Sequence, residues 1–300
     1  MYLSYTGFKT FTSCPRTYWH QYVNKTRLTV PDNRVNSLYG TIVGGLFESF
    51  YSDRLWRESG IEQKLLSLVP SHYDRTILKE SRDGAIRWKS EDKKANYTGP
   101  EALLVDVRDT IPRGLQIIRH HRLLGPMQSE AEVRLDHKVG GYTIGGRADF
   151  LIRRIAPHRD LILLDGKGSK WRDKYVDPRQ LLWYAMLHRL KFGFKPDRLG
   201  FVFWRFQPEE ALDWLPFSDQ DLDELGHSVR EVMQRIEAAK LHLQTAPEPL
   251  LALPEQFPVS PGDRCNLCTY LSLCAEGTHF TSIQAPTSFG AGVEDVGFNV

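Results

Sequence analysis

Two aspartates and a lysine stand where successive apolar runs end. Asp149 lies in Gly146-Arg147-Ala148-Asp149-Phe150-Leu151-Ile152, and Asp165 and Lys167 close the run Leu161-Ile162-Leu163-Leu164. Two carboxylates and an ammonium on neighbouring strand ends are the minimum equipment for metal-dependent cleavage of a phosphodiester. That reaction needs charge neutralised on an oxygen-rich transition state and a water activated. Magnesium or manganese does both, and such hard cations select carboxylate oxygens. Asp149 and Asp165 could share one ion, with the Gly166 carbonyl as a further ligand and positions left for waters and a phosphate oxygen. Lys167 would then orient the attacking water and offset developing negative charge. The plainer alternative is a strand-end Asp–Lys ion pair. Order and spacing favour the chemical reading, because an apolar strand that drives these charges into one cleft incurs a cost that a ligand or mutual pairing must offset.

Those groups need strands that end together. Ala131, Val133 and Leu135 alternate with Glu130, Glu132 and Arg134, which predicts a half-buried strand from Ser129. Gly140-Gly141 predicts a hairpin turn, with Tyr142 to Ile152 as one return strand carrying Asp149 on the face opposite Tyr142, Ile144, Ala148 and Phe150. Leu161 to Lys167 is apolar until its end, as a central buried strand would be. Asp165 and Lys167, two residues apart, project to the same side. Asp177-Pro178 opens a helix that ends near Gly193. Gln180 follows Asp177 at capping-box spacing and precedes Tyr184 by one helical turn. Further along, Arg198 to Phe206 reads as a strand. Ser218 to about Leu243 reads as a helix whose stripe of Leu222, Leu225, Val229, Val232, Met233 and Ile236 suits core packing. Upstream, helices are predicted from Thr6 to about residue 25 and from Ser37 to about Arg57. Residues 70–100 read as polar and irregular, with the charge run 89–94 as a solvated surface. A helix from Pro100 to about Leu124 should be kinked or interrupted by Pro112 and Gly114. Residues 247–261 read as a proline-rich connector.

Three hundred residues, 41% of them hydrophobic, can bury a substantial core. A net charge of +2 means that a nucleic-acid partner must meet a local patch rather than a generally cationic surface. Lys170, Trp171, Arg172, Lys174 and Tyr175, with Arg179 close by, form such a patch directly after Lys167. Cations for phosphates interleaved with rings for bases suit a single strand, although a solvated loop with inward-packed rings fits equally well. Neither a membrane span nor a secretory leader is evident, so a soluble cytoplasmic protein is expected. Cys265, Cys268 and Cys274 form C-x2-C-x5-C, and Cys14 stands alone near the start. In a reducing compartment this clustering points to metal ligation before disulfides, and four thiolates match one four-cysteine site.

The motifs Gly146-Arg147-Ala148-Asp149, Asp165-Gly166-Lys167 and Gln180-Leu181-Leu182-Trp183-Tyr184 resemble, in order and spacing, those of the PD-(D/E)XK nuclease superfamily. The likeness is to its RecB-like branch, which includes CRISPR-associated exonucleases and the AddB nuclease domain. The resemblance covers most of the chain, although residues 58–128 carry no matching motif. It implies an α/β restriction-endonuclease-like core, a short mixed sheet flanked by helices, with a helical N-terminal insertion and a four-cysteine lobe. Asp149 and Asp165 would be metal ligands, Lys167 the catalytic lysine, and Gln180 and Tyr184 substrate-facing residues. Cys14, Cys265, Cys268 and Cys274 would hold a [4Fe–4S] cluster of structural role, although spacing alone does not exclude zinc. One departure is clear: the family's Gly-x-x-x-His corresponds here to Gly40-Thr41-Ile42-Val43-Gly44, so a metal-binding histidine is replaced by Gly44. Glu48 or Glu132 could substitute. The expected organisation is an N-terminal segment 1–36, a helical region 37–128, a nuclease core 129–245, a cluster segment 246–278 and a mobile tail 279–300. The expected function is a Mg- or Mn-dependent deoxyribonuclease, an exonuclease on single-stranded DNA ends serving recombination, repair, phage replication or CRISPR adaptation. A catalytically silent DNA-end-binding relative is the alternative, and a zinc-stabilised adaptor a third.

Overall fold

Leu161-Ile162-Leu163-Leu164 can be wholly apolar because it lies in the middle of a sheet covered on both faces. In the computed structural model, β1 spans Tyr2–Ser4, β2 Ser129–Arg134, β3 His137–Val139, β4 Tyr142–Gly145, β5 Arg147–Arg153, β6 Leu161–Lys167, β7 Arg198–Phe203 and β8 Leu212–Leu215. The main sheet has the order β2-β5-β6-β7-β8, with β6 at its centre. β5 and β6 are antiparallel, Phe150 facing Leu164, whereas β6 and β7 are parallel, Asp165 facing Phe201. A parallel neighbour requires a crossover. Helix α6, Pro178–Phe192, provides it and ends where Gly193 adopts the left-handed conformation at φ 82. The structure describes residues 1–28, 35–81, 86, 88, 97–124, 129–154, 158–172 and 176–284.

The chain divides into two units, Met1–Tyr5 with Thr29–Met233 and Thr6–Leu28 with Gln234–Val300. In the first, α3 (Val35–Ser52), α4 (Ile61–Glu80) and α5 (Pro100–His120) bury one continuous core against the sheet face bearing Phe150, Ile152, Ile162, Leu164 and Val202. Strand alternation places Asp149, Asp165 and Lys167 on the opposite face. The second unit contains α1 (Tyr5–Ser13) from Thr6 onward, α2 (Pro15–Tyr18) continuing into a π-helical turn Trp19–Val23, the end of α7 (Asp219–Thr245), α8 (Pro249–Gln256) and α9 (Ala275–Gln284). Phe11 anchors it, edge-on to Tyr18 and Phe257 at 5.4 and 6.3 Å, with the Arg235 guanidinium 5.3 Å from its ring. No helix among the described residues is long and apolar enough to cross a membrane.

Several local expectations are corrected. The return strand Tyr142 to Ile152 is two strands in different sheets: β4 joins β1 and β3, and β5 joins the main sheet. The break falls at Gly146, where a Cβ would lie 2.8 Å from the Tyr184 ring, while the Trp183 indole donates to the Gly145 carbonyl at 3.2 Å. Residues 70–80 are helical, since Pro70 sits on the exposed side of α4 while Leu65, Val69 and Thr76 bury the other. Pro112 and Gly114 do not interrupt α5. Gly114 is seated on Phe47, whose ring would come within 2.0 Å of an added Cβ. The connector 247–261 contains α8, and the segment beyond Gly277 begins within α9. The charge run 89–94 and residues 285–300 lie outside the described residues.

Candidate active site

The ends of β5 and β6 bring three of the expected groups together. Asp149 Oδ2 accepts the Gly166 backbone N–H at 2.9 Å, which ties the first carboxylate to the residue between the other two groups. Lys167 forms an ion pair with Asp165 Oδ2. Asp165 is only 3% exposed. Burial is the main reason why both carboxyl groups titrate above their ordinary range. The Asp165 charge raises Asp149 further, and Lys167 partly offsets both shifts. Gly166 is required by close approach, because a Cβ there would meet the Trp204 indole nitrogen at 3.0 Å and Phe150 at 3.1 Å.

Helix α6 supplies the facing wall. Gln180 Nε2 donates to the Tyr184 hydroxyl at 3.1 Å, so the pair is locked one turn apart. Tyr184 is pushed up to about 12, first by burial and then, against the Gln180 hydrogen bond, by the charges of Asp149, Asp165 and Glu132. Its hydroxyl therefore senses the carboxylates directly. The expected capping box is not formed: Asp177 makes no side-chain cap, and its carboxylate takes the Tyr5 hydroxyl while Gln180 turns to Tyr184.

A family model described as the PD-(D/E)XK nuclease superfamily matches residues 2–275. The chain belongs to that superfamily. Among solved structures, it is similar to a candidate exonuclease from Eubacterium rectale, at 14% identity over 93% of this chain and 87% of that one, with a TM-score of 0.43. It also resembles the crystal structure of SSO0001, at 15% identity over 91% and 95% of the two chains, TM-score 0.31. Protein VC1899 from Vibrio cholerae matches at 13% identity over 75% and 52%, TM-score 0.22. No curated protein matches the sequence.

For a PD-(D/E)XK nuclease the fit of a divalent cation is a question of donors. Asp165 Oδ2 is sealed from solvent and lies against the Lys167 ammonium. Two neighbouring buried carboxylates are hard oxygen donors of the kind a divalent cation takes, and an ion bound there would share Asp165 with Lys167. Among the described residues no group of three or more His, Cys, Asp or Glu side chains could by itself hold an ion. Magnesium commonly takes only one or two carboxylates and completes its shell with water and substrate phosphate.

Two further carboxylates are linked in series, Glu132 to Asp149 and Glu48 to Glu132. Glu132 sits opposite Asp149 in the β2–β5 register at φ 52, a left-handed conformation rare for glutamate, and the strand pairing skips that position. Its carboxylate pairs with Arg147 at 2.6 Å. Glu48 on α3 is raised above the ordinary carboxylate range by burial and by the Glu132 charge, with Arg147 and Arg75 opposing. The space beside Gly44 is open, since a Cβ there would meet nothing within 4 Å. Sequence reading singled out Glu132 and Glu48 but had no signal for the left-handed backbone at Glu132.

The loop after Lys167 is divided. Trp171 is 58% exposed and its backbone is pinned by Ser169, whose hydroxyl donates to the Trp171 carbonyl at 2.8 Å and accepts its N–H at 2.9 Å. Lys170 is exposed. Arg172 is committed to the protein: it pairs with Asp213 at 2.7 Å and stacks 4.8 Å from the Phe206 ring. Lys174 and Tyr175 lie outside the described residues.

The four cysteines belong to the second unit, unbridged and half-buried. Cys14 is the N-cap of α2. Burial would push its thiol up, but hydrogen bonds from Ser260, Thr17 and Arg16 outweigh this and hold it below the usual thiol range. Cys274 is raised by burial, relieved by the Gly277 N–H at 3.3 Å, and senses the charges of Glu276, Cys14 and Cys265. Cys268 has the Thr17 hydroxyl 3.7 Å away. Thiolates suit iron–sulfur or zinc alike by donor type, but as placed among the described residues the four form no group of three or more able to hold an ion.

Proposed function

We propose that this nuclease is a Mg- or Mn-dependent deoxyribonuclease that trims single-stranded DNA ends, in recombination, repair, phage replication or CRISPR adaptation. The observation that carries the reading is the convergence of Asp149, Asp165 and Lys167 at the paired ends of β5 and β6. Asp149 and Asp165 would hold the cation, with the Gly166 carbonyl and Glu132 or Glu48 as further donors. A bound ion would polarise the scissile phosphate and make a coordinated water acidic. Lys167 would hold the attacking water through its ammonium and offset charge growing on the phosphate oxygens. Gln180 and Tyr184 would donate to the backbone of the bound strand. Trp171, exposed and with its backbone bonded to Ser169, would stack on a base, and Lys170, Lys174 and Tyr175 would contact the same strand. The test is a divalent-metal titration on end-labelled single- and double-stranded DNA. Asp165→Ala and Lys167→Ala should each lower kcat by roughly 100-fold or more without unfolding the protein. Retained activity in either rejects the reading.

The open space beside Gly44 favours a second reading, a relative that grips DNA ends without cutting them. Tight DNA binding with no cleavage under Mg or Mn would select it. For the cysteine site we propose a structural [4Fe–4S] cluster held by Cys14, Cys265, Cys268 and Cys274. The low-titrating thiol of Cys14 and its electrostatic coupling to Cys274 support this. Anaerobically purified protein should be brown and should contain iron and sulfide, both lost in Cys14→Ser; a colourless zinc protein would replace iron with zinc.

A further inference from the structure

The backbone beside Lys167 is bonded by a residue 38 positions later in the chain. β7 ends at Phe203, and the next two residues turn back over the end of β6. The Trp204 backbone N–H donates to the Lys167 carbonyl at 3.2 Å, and Arg205 Nε donates to the Gly168 carbonyl at 2.8 Å. Two successive carbonyls, those of the lysine and of its neighbour, are thus held by one dipeptide. Arg205 is itself fixed from three sides. Its Nη1 pairs with Asp106 Oδ2 at 2.6 Å, its Nη2 reaches the Tyr97 hydroxyl, and its guanidinium lies 3.4 Å from the centre of the Tyr39 ring. Tyr97 in turn donates to Asp106, and Arg113 holds the Arg205 carbonyl at 3.0 Å. The side chain is only 10% exposed, so its donors meet protein rather than solvent.

The position it holds leaves no slack. Gly168 is pressed onto α3, where an added Cβ would lie 2.8 Å from the Gly40 Cα and 3.0 Å from the Tyr39 ring. The same Tyr39 ring carries the Arg205 guanidinium. The end of β6 is therefore clamped between a helix backbone on one side and an arginine fork on the other. We propose that Arg205 is a positioning residue for the nuclease reaction: by holding the Gly168 carbonyl it fixes the backbone from which Lys167 reaches Asp165. This rests on the reading of Lys167 as a reacting group. Among the described residues Arg205 bonds Asp106, Tyr97 and Gly168 rather than Asp149 or Asp165, and it acts through the strand end. A displacement of ~1 Å at a reacting group can cost ~100-fold in rate, which is the scale on which a lost clamp would be felt.

Lysine can satisfy Asp106 but lacks the planar fork that bonds Asp106, Tyr97 and Gly168 at once. Arg205→Lys, like the control below, should melt lower but stay folded at the assay temperature, and steady-state cleavage of end-labelled single-stranded DNA in Mn should show its kcat down roughly 10-fold with KM unchanged. Arg205→Met, which keeps only the stem over Tyr39, should lose more kcat, again at constant KM. Arg154→Lys is the matched control, because Arg154 is equally buried and bonds Asp160 through two nitrogens far along the sheet. It should lower the melting temperature and leave kcat intact. A native kcat in Arg205→Lys, or a kcat loss in Arg154→Lys as large as in the Arg205 variants, overturns the proposal. If Arg205→Met does not fold, Arg205→Lys decides alone. Full activity in Lys167→Ala would instead reject the nuclease chemistry on which the proposal rests.

Discussion

At the scale of single residues, the site stores repulsion and strain. Glu132 holds a left-handed backbone that costs roughly 1–3 kcal/mol in a non-glycine residue, and its carboxylate raises both Asp149 and Glu48. Asparagine tolerates that conformation and carries no charge. Glu132→Asn should therefore melt at the same temperature or higher in chelator, despite losing the part-exposed ion pair with Arg147, while its Mn affinity falls. Calorimetric titration with Mn beside a thermal melt separates the two effects. Unchanged Mn affinity would remove Glu132 from the ligand set and leave Glu48 as the donor to examine.

At the scale of elements, two glycines on neighbouring helices have opposite meanings. Gly114 lets α5 approach Phe47 of α3, and Gly114→Ala would place a methyl 2.0 Å from that ring. Overpacking of this kind should cost about 1–3 kcal/mol in chemical denaturation. Gly44 faces open space, so Gly44→Ala should stabilise α3 by about 0.5–1 kcal/mol, the helix-propensity gain. The same space makes Gly44→His a test of whether a side chain here can reach a bound cation, and tighter Mn binding is its expected result. The elements also explain which expectations held. β6 appears as predicted, Leu161–Lys167, because an unbroken apolar run between polar ends leaves a central strand as the only economical placement. Pro70 and Pro112 misled because a proline in a helix is costly by local rules, whereas buried faces made by Val69, Val107 and Ile111 offset that cost.

At the scale of the whole molecule, the buried carboxylates link stability to pH and metal. Asp149 and Asp165 both titrate above the ordinary value of 3.8, so the folded state binds their protons more tightly than the unfolded chain does. That contribution is complete below 3.8 and is lost as pH rises through the raised folded values. In chelator the melting temperature should fall from about pH 5 to about pH 8, and Mn should restore most of the loss by binding the ionised pair. A melting temperature that ignores Mn throughout that window would argue against a cation at these two groups.

The order of Asp149, Asp165, Lys167, Gln180 and Tyr184, and the side to which Asp165 and Lys167 project, were legible in the sequence. They depend on periods of two and four residues, which any short window contains. The remainder came from packing between distant segments. The Gly145-Gly146 pair is a local sign of a break, but it does not signal that the chain changes sheets there, which follows from the pressure of Trp183 and Tyr184 almost forty residues later. Nor does a pattern signal that Gln180 abandons its cap for Tyr184, that Glu132 is left-handed, or that Arg205 holds Gly168. The candidate residues are thus written locally, whereas their exact reach is set by close contacts that form only when the whole core has closed.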